Sequence, residues 1–514
     1  MKINEKTSNT KNLVTKMVSM VVNLLATMII TSLVVEKLGN VANGYNQMAN
    51  DFVSYVAILS IALNSMACRF ITMSYYKKDN NEINIYYNSV LFGDLILAGI
   101  ISVPLIVFTF KLNQVINIPS GLVYDVKILF ALMFINFVLN LCFTPYSVAT
   151  LVKNRVDLDS LRSLEGALIK TIAIIFLFEV FEPRVWYVSI GTLIGTVYYI
   201  FMNIHYTHKL IPEVTLFKKN YFKWDYIKIL LTSGIWNSLT RVGAIFLNGL
   251  DLLIANLFIS PLAMGVLSVS KTLPKYILTG MSGVSTVFTP GVMIEYAKND
   301  KKAMVRVIDS SIKLNSLFSI IIEVGVIVFS ARLYLLWMPG QDAFLLQKLT
   351  VVAMLGYIIL MPFEVLWVVF TATNKVKISS IYLFIEAVIT ISIVIVSMFF
   401  VQNDIVKVFI VAGTSTVMET IRGFIFLPLV SAKLLDVSKS TFYKPLCKVI
   451  LAFVLSLFVS IFINNITLSN NWFIFVAMAT LSAIGSFIVS FVVLFNREER
   501  HSYIEILMRR VKNG

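Results

Sequence analysis

Ser233, Asn237, Arg241, Asn248 and Asp251 recur along an apolar run at 229–256. On a helix turning 100° per residue they share one face about 80° wide, opposite Ile, Leu, Phe, Val and Ala. The run is long enough to cross a bilayer, which places Arg241 far from either interface. An arginine at that depth costs about 2.5–3.5 kcal/mol on insertion scales, so it faces a partner or a water-filled cavity. Two chemistries follow: a helix–helix salt bridge, or the wall of a polar cavity that handles an anion.

A second stripe has the same character. Asn12, Lys16, Ser19, Asn23 and Thr27 fall at i, i+4, i+7, i+11 and i+15 of the first apolar run. Lys271 and Lys275 add a pair one turn apart, although near a helix end they can snorkel to water. Asn46, Asn50, Ser54 and Asn64 form a comparable face, with Arg69 to one side. If the two stripes face each other, Lys16 and Arg241 project into one cavity. Many cations and few anions suit a phosphate or pyrophosphate, held by charge-assisted hydrogen bonds. The expected binding set is Arg241, Lys16, Asn237, Asn248, Asn23, Lys271 and Arg69.

Carboxylates in apolar runs are candidates for coupling transport to H⁺ or Na⁺, because burial favours the neutral or cation-bound form. Asp251, on the Arg241 face, ranks first, or else it is that arginine's counter-ion. Asp94, Glu165 and Glu364 follow, with Glu323 and Glu386 behind them. Glu419 and Arg422, at i and i+3, are expected to neutralise each other. Catalytic signatures are thin. Asp157-Leu-Asp159 spells a three-residue acidic motif, but at a helix start, where acids favour the dipole. There is no Gly-rich phosphate loop, so no ATPase is expected. Cys68, Cys142 and Cys447 are far apart and read as small buried hydrophobes. No metal or cofactor is expected, and the chain reads as a non-enzyme.

These residues need long apolar elements to position them. The 514 residues are 58% hydrophobic and 14% charged, with mean hydropathy +0.83. That describes an all-α polytopic membrane protein. About fourteen runs reach spanning length: 12–36, 46–73, 84–110, 124–150, 160–181, 185–207, 226–258, 264–296, 304–330, 346–373, 378–401, 405–430, 445–467 and 471–495. The net charge of +15 follows the positive-inside rule rather than pointing to nucleic acid. About 28 of the 43 Lys and Arg fall in alternate connections and the termini, which should be cytoplasmic. The first run follows a basic segment without a small-residue cleavage site, so no cleavable leader is expected.

An internal repeat accompanies the runs. Gly44 and Gly265 differ by 265 − 44 = 221 positions, and at that offset Tyr75 meets Tyr296, Lys77 meets Lys298 and Asp79 meets Asp300. Asn154-Arg155-Val156 matches Asn374-Lys375-Val376 at a shift of 220 (374 − 154). The expected organisation is a six-helix bundle at 1–207, a basic, aromatic linker at 208–225 and a second bundle at 226–430. Residues 431–514 add two spans and a tail, with an interfacial helix over Arg497–Lys512.

Thr144-Pro145-Tyr146, Asn154-Arg155-Val156 and Ser160-Leu-Arg-Ser-Leu-Glu165-Gly-Ala-Leu-Ile-Lys resemble the fourth-to-fifth-span region of polysaccharide-export flippases. Those belong to the multidrug/oligosaccharidyl-lipid/polysaccharide (MOP) exporter superfamily. Ser233-Gly-Ile-Trp-Asn237 through Asn248-Gly-Leu-Asp251 to Gly265 is similar to the start of that family's second half. Arg69 before Phe-Ile-Thr-Met departs from the commonest pattern. The resemblance implies two six-helix bundles around a cationic cavity, with two extra helices shaping a lipid groove. It implies a monomer in a bacterial cytoplasmic membrane, working with lipids and polysaccharide-assembly proteins. The implied cargo is an undecaprenyl-(pyro)phosphate-linked oligosaccharide or teichoic-acid precursor, moved to the outer leaflet by H⁺ or Na⁺ antiport. The alternatives are a drug/cation antiporter of the same superfamily and a membrane-embedded polymerase or transferase. The cationic stripes argue against the first and the short external connections against the second.

Overall fold

Every regular element is helical among the residues described by the computed structural model, namely 2–298, 300–466, 471–501 and 505. Two compact units emerge. The first is Met1–Val269 with Ser380–Ile391 and holds α1 (Lys2–Tyr76), α2 (Asn80–Phe110), α3 (Val123–Phe143), α4 (Val156–Val180), α5 (Tyr187–Leu210) and α6 (Trp224–Gly249). The second is Ser270–Ser379 with Ser392–Gly514 and holds α7 (Lys301–Trp337) and α8 (Ala343–Met354). α9 (Val376–Phe400) contributes residues 380–391 to the first unit and its ends to the second. α10 (Asp404–Ile421), α11 (Leu446–Asn464) and α12 (Trp472–Leu494) complete the second.

The chain is a multi-pass membrane protein. Ten helices are long and apolar enough to cross a bilayer, or twelve if two bent pairs each count as one crossing. The runs 12–36 and 46–73 both lie in α1, which is two helices joined across Gly39 (φ 83°, ψ 170°), a conformation essentially confined to glycine. The run 160–181 lies in α4, whose Arg162, Glu165 and Lys170 set it apart from the purely apolar helices. The expected figure of about fourteen rests on counting two crossings in α1 and one in α4.

The two halves carry the same punctuation. α2 and α7 begin 301 − 80 = 221 positions apart, each behind an aspartate cap. Asp79 Oδ1 accepts from the Glu82 N–H and Asp300 Oδ1 from the Ala303 N–H, both at 2.9 Å. Each bond satisfies a donor that the helix start leaves unpaired. α4 and α9 begin 376 − 156 = 220 and end 400 − 180 = 220 positions apart. Both follow a left-handed asparagine, Asn154 (φ 53°) or Asn374 (φ 55°), a conformation asparagine adopts more readily than most residues. Behind it the chain folds back alike: Arg155 N–H donates to Thr150 O at 2.7 Å and Lys375 N–H to Phe370 O at 2.8 Å. Gly44 and Gly265, equivalent in the repeat, pack backbone to backbone. A Cβ on Gly265 would lie 2.6 Å from the Asn40 carbonyl, and one on Gly44 3.1 Å from Gly265 Cα.

Small residues let the helices approach, as membrane packing requires where lipid removes the hydrophobic drive between helices. In the first unit a Cβ on Gly195 of α5 would sit 2.6 Å from the Gly166 carbonyl of α4. In the second, Ser456 and Ser460 of α11 meet Ser490, Ser486 and Ser482 of α12 at 2.6–3.3 Å, a ladder repeating every turn. One end of that pair is tied down by Lys313 Nζ, which donates to Glu499 Oε1 at 2.7 Å. Burial alone would raise the Glu499 carboxyl. The Lys313 ammonium and the Asn496 N–H outweigh burial and hold it below the ordinary glutamate value.

Two sequence expectations change. Cys447 is exposed, so it is not a buried hydrophobe like the half-buried Cys68 and Cys142. The linker is pinned to α2 rather than resting on lipid alone. Asn84 Oδ1 accepts from Thr215 N–H at 2.7 Å, and Asn88 Nδ2 donates to Thr215 O at 2.8 Å. The interfacial helix expected over Arg497–Lys512 falls largely outside the described residues.

Candidate functional site: the cationic faces of the first unit

The run at 229–256 is not one helix. α6 ends at Gly249, and a separate helix, Asp251–Phe258, starts beyond Leu250 with a bend of 43°. The Tyr55 hydroxyl of α1 donates to the Gly249 carbonyl, which the break leaves without a helical partner. The face shared by Ser233, Asn237 and Arg241 therefore stops before Asp251. Asp251 is buried at the start of its own short helix. Arg241 is exposed. The side chains of Asn237 and Asn248 lie outside the described residues.

The stripe of α1 divides by role. Asn12 is a clamp: its Nδ2 donates to Asn154 O at 3.0 Å and its Oδ1 accepts from the Asp157 N–H at 2.8 Å. It thereby fixes the left-handed turn before α4. Asp157 also accepts from Arg155 at 2.9 Å, and that bond raises the guanidinium above its ordinary value. Ser19 is buried, and Asn23 donates to Ser19 O at 2.8 Å. Lys16 is exposed, as is Arg69 farther along α1. Among the described residues Lys16, Arg69 and Arg241 take part in no ion pair, so three cations of this unit stay unneutralised. Lys271 belongs to the second unit, as the residue before the helix Thr272–Thr286.

The candidate coupling carboxylates separate likewise. Asp94 is fully buried, and its Oδ1 accepts from Asn64 Nδ2 at 2.9 Å while its Oδ2 has no hydrogen-bond partner. Glu165 is committed: it pairs with Arg162 at 2.6 Å and accepts from the Tyr198 hydroxyl. Glu364 sits half-buried in the 3-10 turn Glu364–Leu366 of the second unit. Glu419 and Arg422 pair at 4.0 Å, both buried, where α10 passes into a π-helical turn. Such turns occur often at functional sites.

A cavity of about 180 Å³ opens inside the first unit between α1, α4 and α5. Asn23, Ser163, Lys170 and Thr196 line it, with Gly166 and Gly195 leaving backbone at its wall. The polar stripe of α1 points to Asn23 from the sequence, whereas Lys170 is absent from the expected binding set. A cue was present, since Lys170 stands one turn beyond Gly166 in a helix otherwise apolar at that level.

No family model matches the chain. Across 471 residues it is 21% identical to the uncharacterised membrane protein EpsK of Bacillus subtilis (strain 168), covering 91% of this chain and 92% of that one. Its fold superposes on the lipid II flippase MurJ in an inward closed conformation with TM-score 0.68. Identity there is 16%, over 93% of this chain and 97% of MurJ. An inward-facing multidrug resistance MATE family transporter of the MOP superfamily gives TM-score 0.60 at 15% identity, over 83% and 99%. The chain has the fold of the MOP superfamily. The resemblance read from Thr144-Pro145-Tyr146 and Asn154-Arg155-Val156 thus holds for the architecture, and these structural neighbours are transporters and flippases rather than enzymes.

Proposed function

We propose that the protein is a flippase for a lipid-linked oligosaccharide. It moves an undecaprenyl-(pyro)phosphate-linked oligosaccharide or a teichoic-acid precursor from the inner to the outer leaflet by alternating access. One observation carries the reading: among the described residues Lys16, Arg69 and Arg241 are exposed and without ion pairs in a unit whose long helices are otherwise apolar. Arg241, left free in mid-span, favours an anionic cargo, with Lys16 and Arg69 nearer the ends of their runs, and a phosphate-bearing lipid brings such an anion into the membrane. The likeness to MurJ, named a lipid II flippase, agrees with this cargo class. A drug antiporter would instead need an acidic or aromatic surface for organic cations.

Arg241, Lys16 and Arg69 act as phosphate contacts in this reading, with Asn23 as a further polar contact. H⁺ or Na⁺ drives the cycle, and the coupling candidates are buried carboxylates: Asp94 with one oxygen unbonded and Glu323 with neither bonded. Asp251 and Glu364 follow, whereas Glu165 serves Arg162. The protein works as a monomer in a bacterial cytoplasmic membrane with both termini inside, beside polysaccharide-assembly proteins.

Binding of a short-chain polyprenyl-pyrophosphate sugar to detergent-purified protein tests the proposal. Arg241→Ala and Lys16→Ala should each weaken binding about tenfold or more, as expected for loss of one charge-assisted contact. Unchanged binding in both variants, or preferential binding of an organic cation, would overturn it.

A further inference from the structure

We infer that the cavity between α1, α4 and α5 is a phosphoryl-binding pocket whose charged group is Lys170. The inference rests on the flippase reading for the origin of the ligand, but not for the site. Lys170 stands 170 − 156 = 14 residues from one end of α4 and 180 − 170 = 10 from the other. At about 1.5 Å per residue these are about 21 and 15 Å, farther than a four-carbon stem spans. Snorkelling therefore does not explain it.

Nor does a protein counter-ion. Among the described residues Lys170 makes no ion pair and no side-chain hydrogen bond. The acids of its own helix are engaged elsewhere: Asp157 by Arg155, Asp159 by the Tyr199 hydroxyl at 2.6 Å, Glu165 by Arg162, and Glu179 by Lys37 at 3.3 Å. No carboxylate lines the cavity. A lysine at bilayer depth without a counter-charge is costly unless an anion joins it.

The rest of the wall suits an oxyanion. Ser163 and Thr196 flank the lysine, and among the described residues neither hydroxyl makes a hydrogen bond, so both can donate inward. Asn23 lines the wall from α1, its amide nitrogen held by Ser19. The glycines at 166 and 195 keep side chains out of the space where their helices meet. A volume of about 180 Å³ is several times the roughly 30 Å³ share of one water in the liquid, enough for a phosphoryl group with residual waters. A lysine with two hydroxyl donors matches phosphate oxygens as a point charge with hydrogen bonds. The phosphoryl group can belong to a lipid-linked sugar, to a bulk anionic phospholipid or to free pyrophosphate.

The test is equilibrium binding to purified full-length protein of three probes: a short-chain polyprenyl-pyrophosphate sugar, phosphatidylglycerol in nanodiscs, and inorganic pyrophosphate. Wild type is compared with Lys170→Met, Lys170→Arg and Thr196→Val. Methionine keeps volume and apolar character, so the fold should hold. The expected result is a loss of about tenfold or more in Lys170→Met for at least one probe, with Lys170→Arg near wild type and Thr196→Val between. Dependence on Lys170 for the lipid-linked sugar supports both pocket and flippase. Dependence for phosphatidylglycerol or pyrophosphate, with no binding of the lipid-linked sugar by wild type, supports the pocket and removes the flippase reading. Equal affinity of Lys170→Met and wild type for every probe overturns the pocket and leaves the flippase reading standing. No binding of any probe by wild type overturns both. If Lys170→Met does not fold, Thr196→Val decides alone, and wild-type affinity in it overturns the pocket.

Discussion

α4 and α9 are the same element written twice, with bounds 220 positions apart and the same left-handed asparagine in front. Their interiors are opposite. Where α4 has Gly166 and Lys170, α9 has Glu386 and Thr390, both buried, with the Thr390 hydroxyl bonded to the Glu386 carbonyl. Duplication kept what terminates and aims a helix, because a cap or a turn is fixed by backbone chemistry that both copies share. It let the interior polar positions diverge, so the charge that touches a ligand is the part that differs between copies. Gly166 makes the same point sterically: it admits the α5 backbone, whereas a glutamate at the equivalent position forbids that approach.

Exchanging the copies' interiors should give the largest effect. Lys170→Thr, which installs the residue of α9, is expected to lower export by more than about tenfold, while Thr390→Lys restores none of it. Equal export in wild type and Lys170→Thr would erase the functional difference between the helices. Next is packing. Gly195→Ala forces a methyl toward the Gly166 carbonyl and should cost about 1–3 kcal/mol, read as a lower midpoint of thermal unfolding in detergent.

The punctuation should respond more evenly. Asn154→Ala and Asn374→Ala each keep the Cβ but remove the short polar side chain that favours left-handed backbone, at up to about 1 kcal/mol. Asn154→Ala should be the worse by about 1 kcal/mol because Asn12 also binds its side chain, at 3.2 Å. Equal losses would mean that the Asn12 clamp contributes nothing. The smallest effect belongs to a contact that only the second unit has. Glu499 titrates below the ordinary glutamate value of about 4.3 because Lys313 favours its charged form. Its stabilisation is therefore complete above that pH and is lost as pH falls through the lowered value. Cleavage around Glu499 by an acid-active protease should accelerate only as pH falls through the lowered Glu499 value, and Glu499→Gln should abolish that step.

The sequence makes the duplication legible because caps and left-handed turns leave residue-type signatures: aspartate before a helix, asparagine where φ is positive. Asp79 with Asp300 and Asn154 with Asn374 were readable for that reason. The apolar runs show the membrane class for the same kind of reason, since spanning length is a local property. The break at Leu250 has a local sign, Asn248-Gly249, but the long apolar run through 229–256 outweighs it when read as one helix. Asn84 and Asn88, one turn apart on α2, were visible as polar residues, but their partners lie about 130 positions away and only the fold joins them. Lys170 is hidden for the same reason, because the cavity beside it exists only once Gly166 and Gly195 bring α4 and α5 together.

The most direct test is translocation by protein reconstituted in liposomes. A short-chain polyprenyl-pyrophosphate oligosaccharide is loaded into the inner leaflet, and its appearance outside is read by glycosidase access, with wild type beside Arg241→Ala. The prediction is transfer well above protein-free liposomes for wild type and near their background for Arg241→Ala, with both proteins inserted at equal density. Wild-type transfer no faster than empty liposomes, or an Arg241→Ala rate equal to wild type, would contradict the assignment of this chain as a flippase working through its unpaired cations.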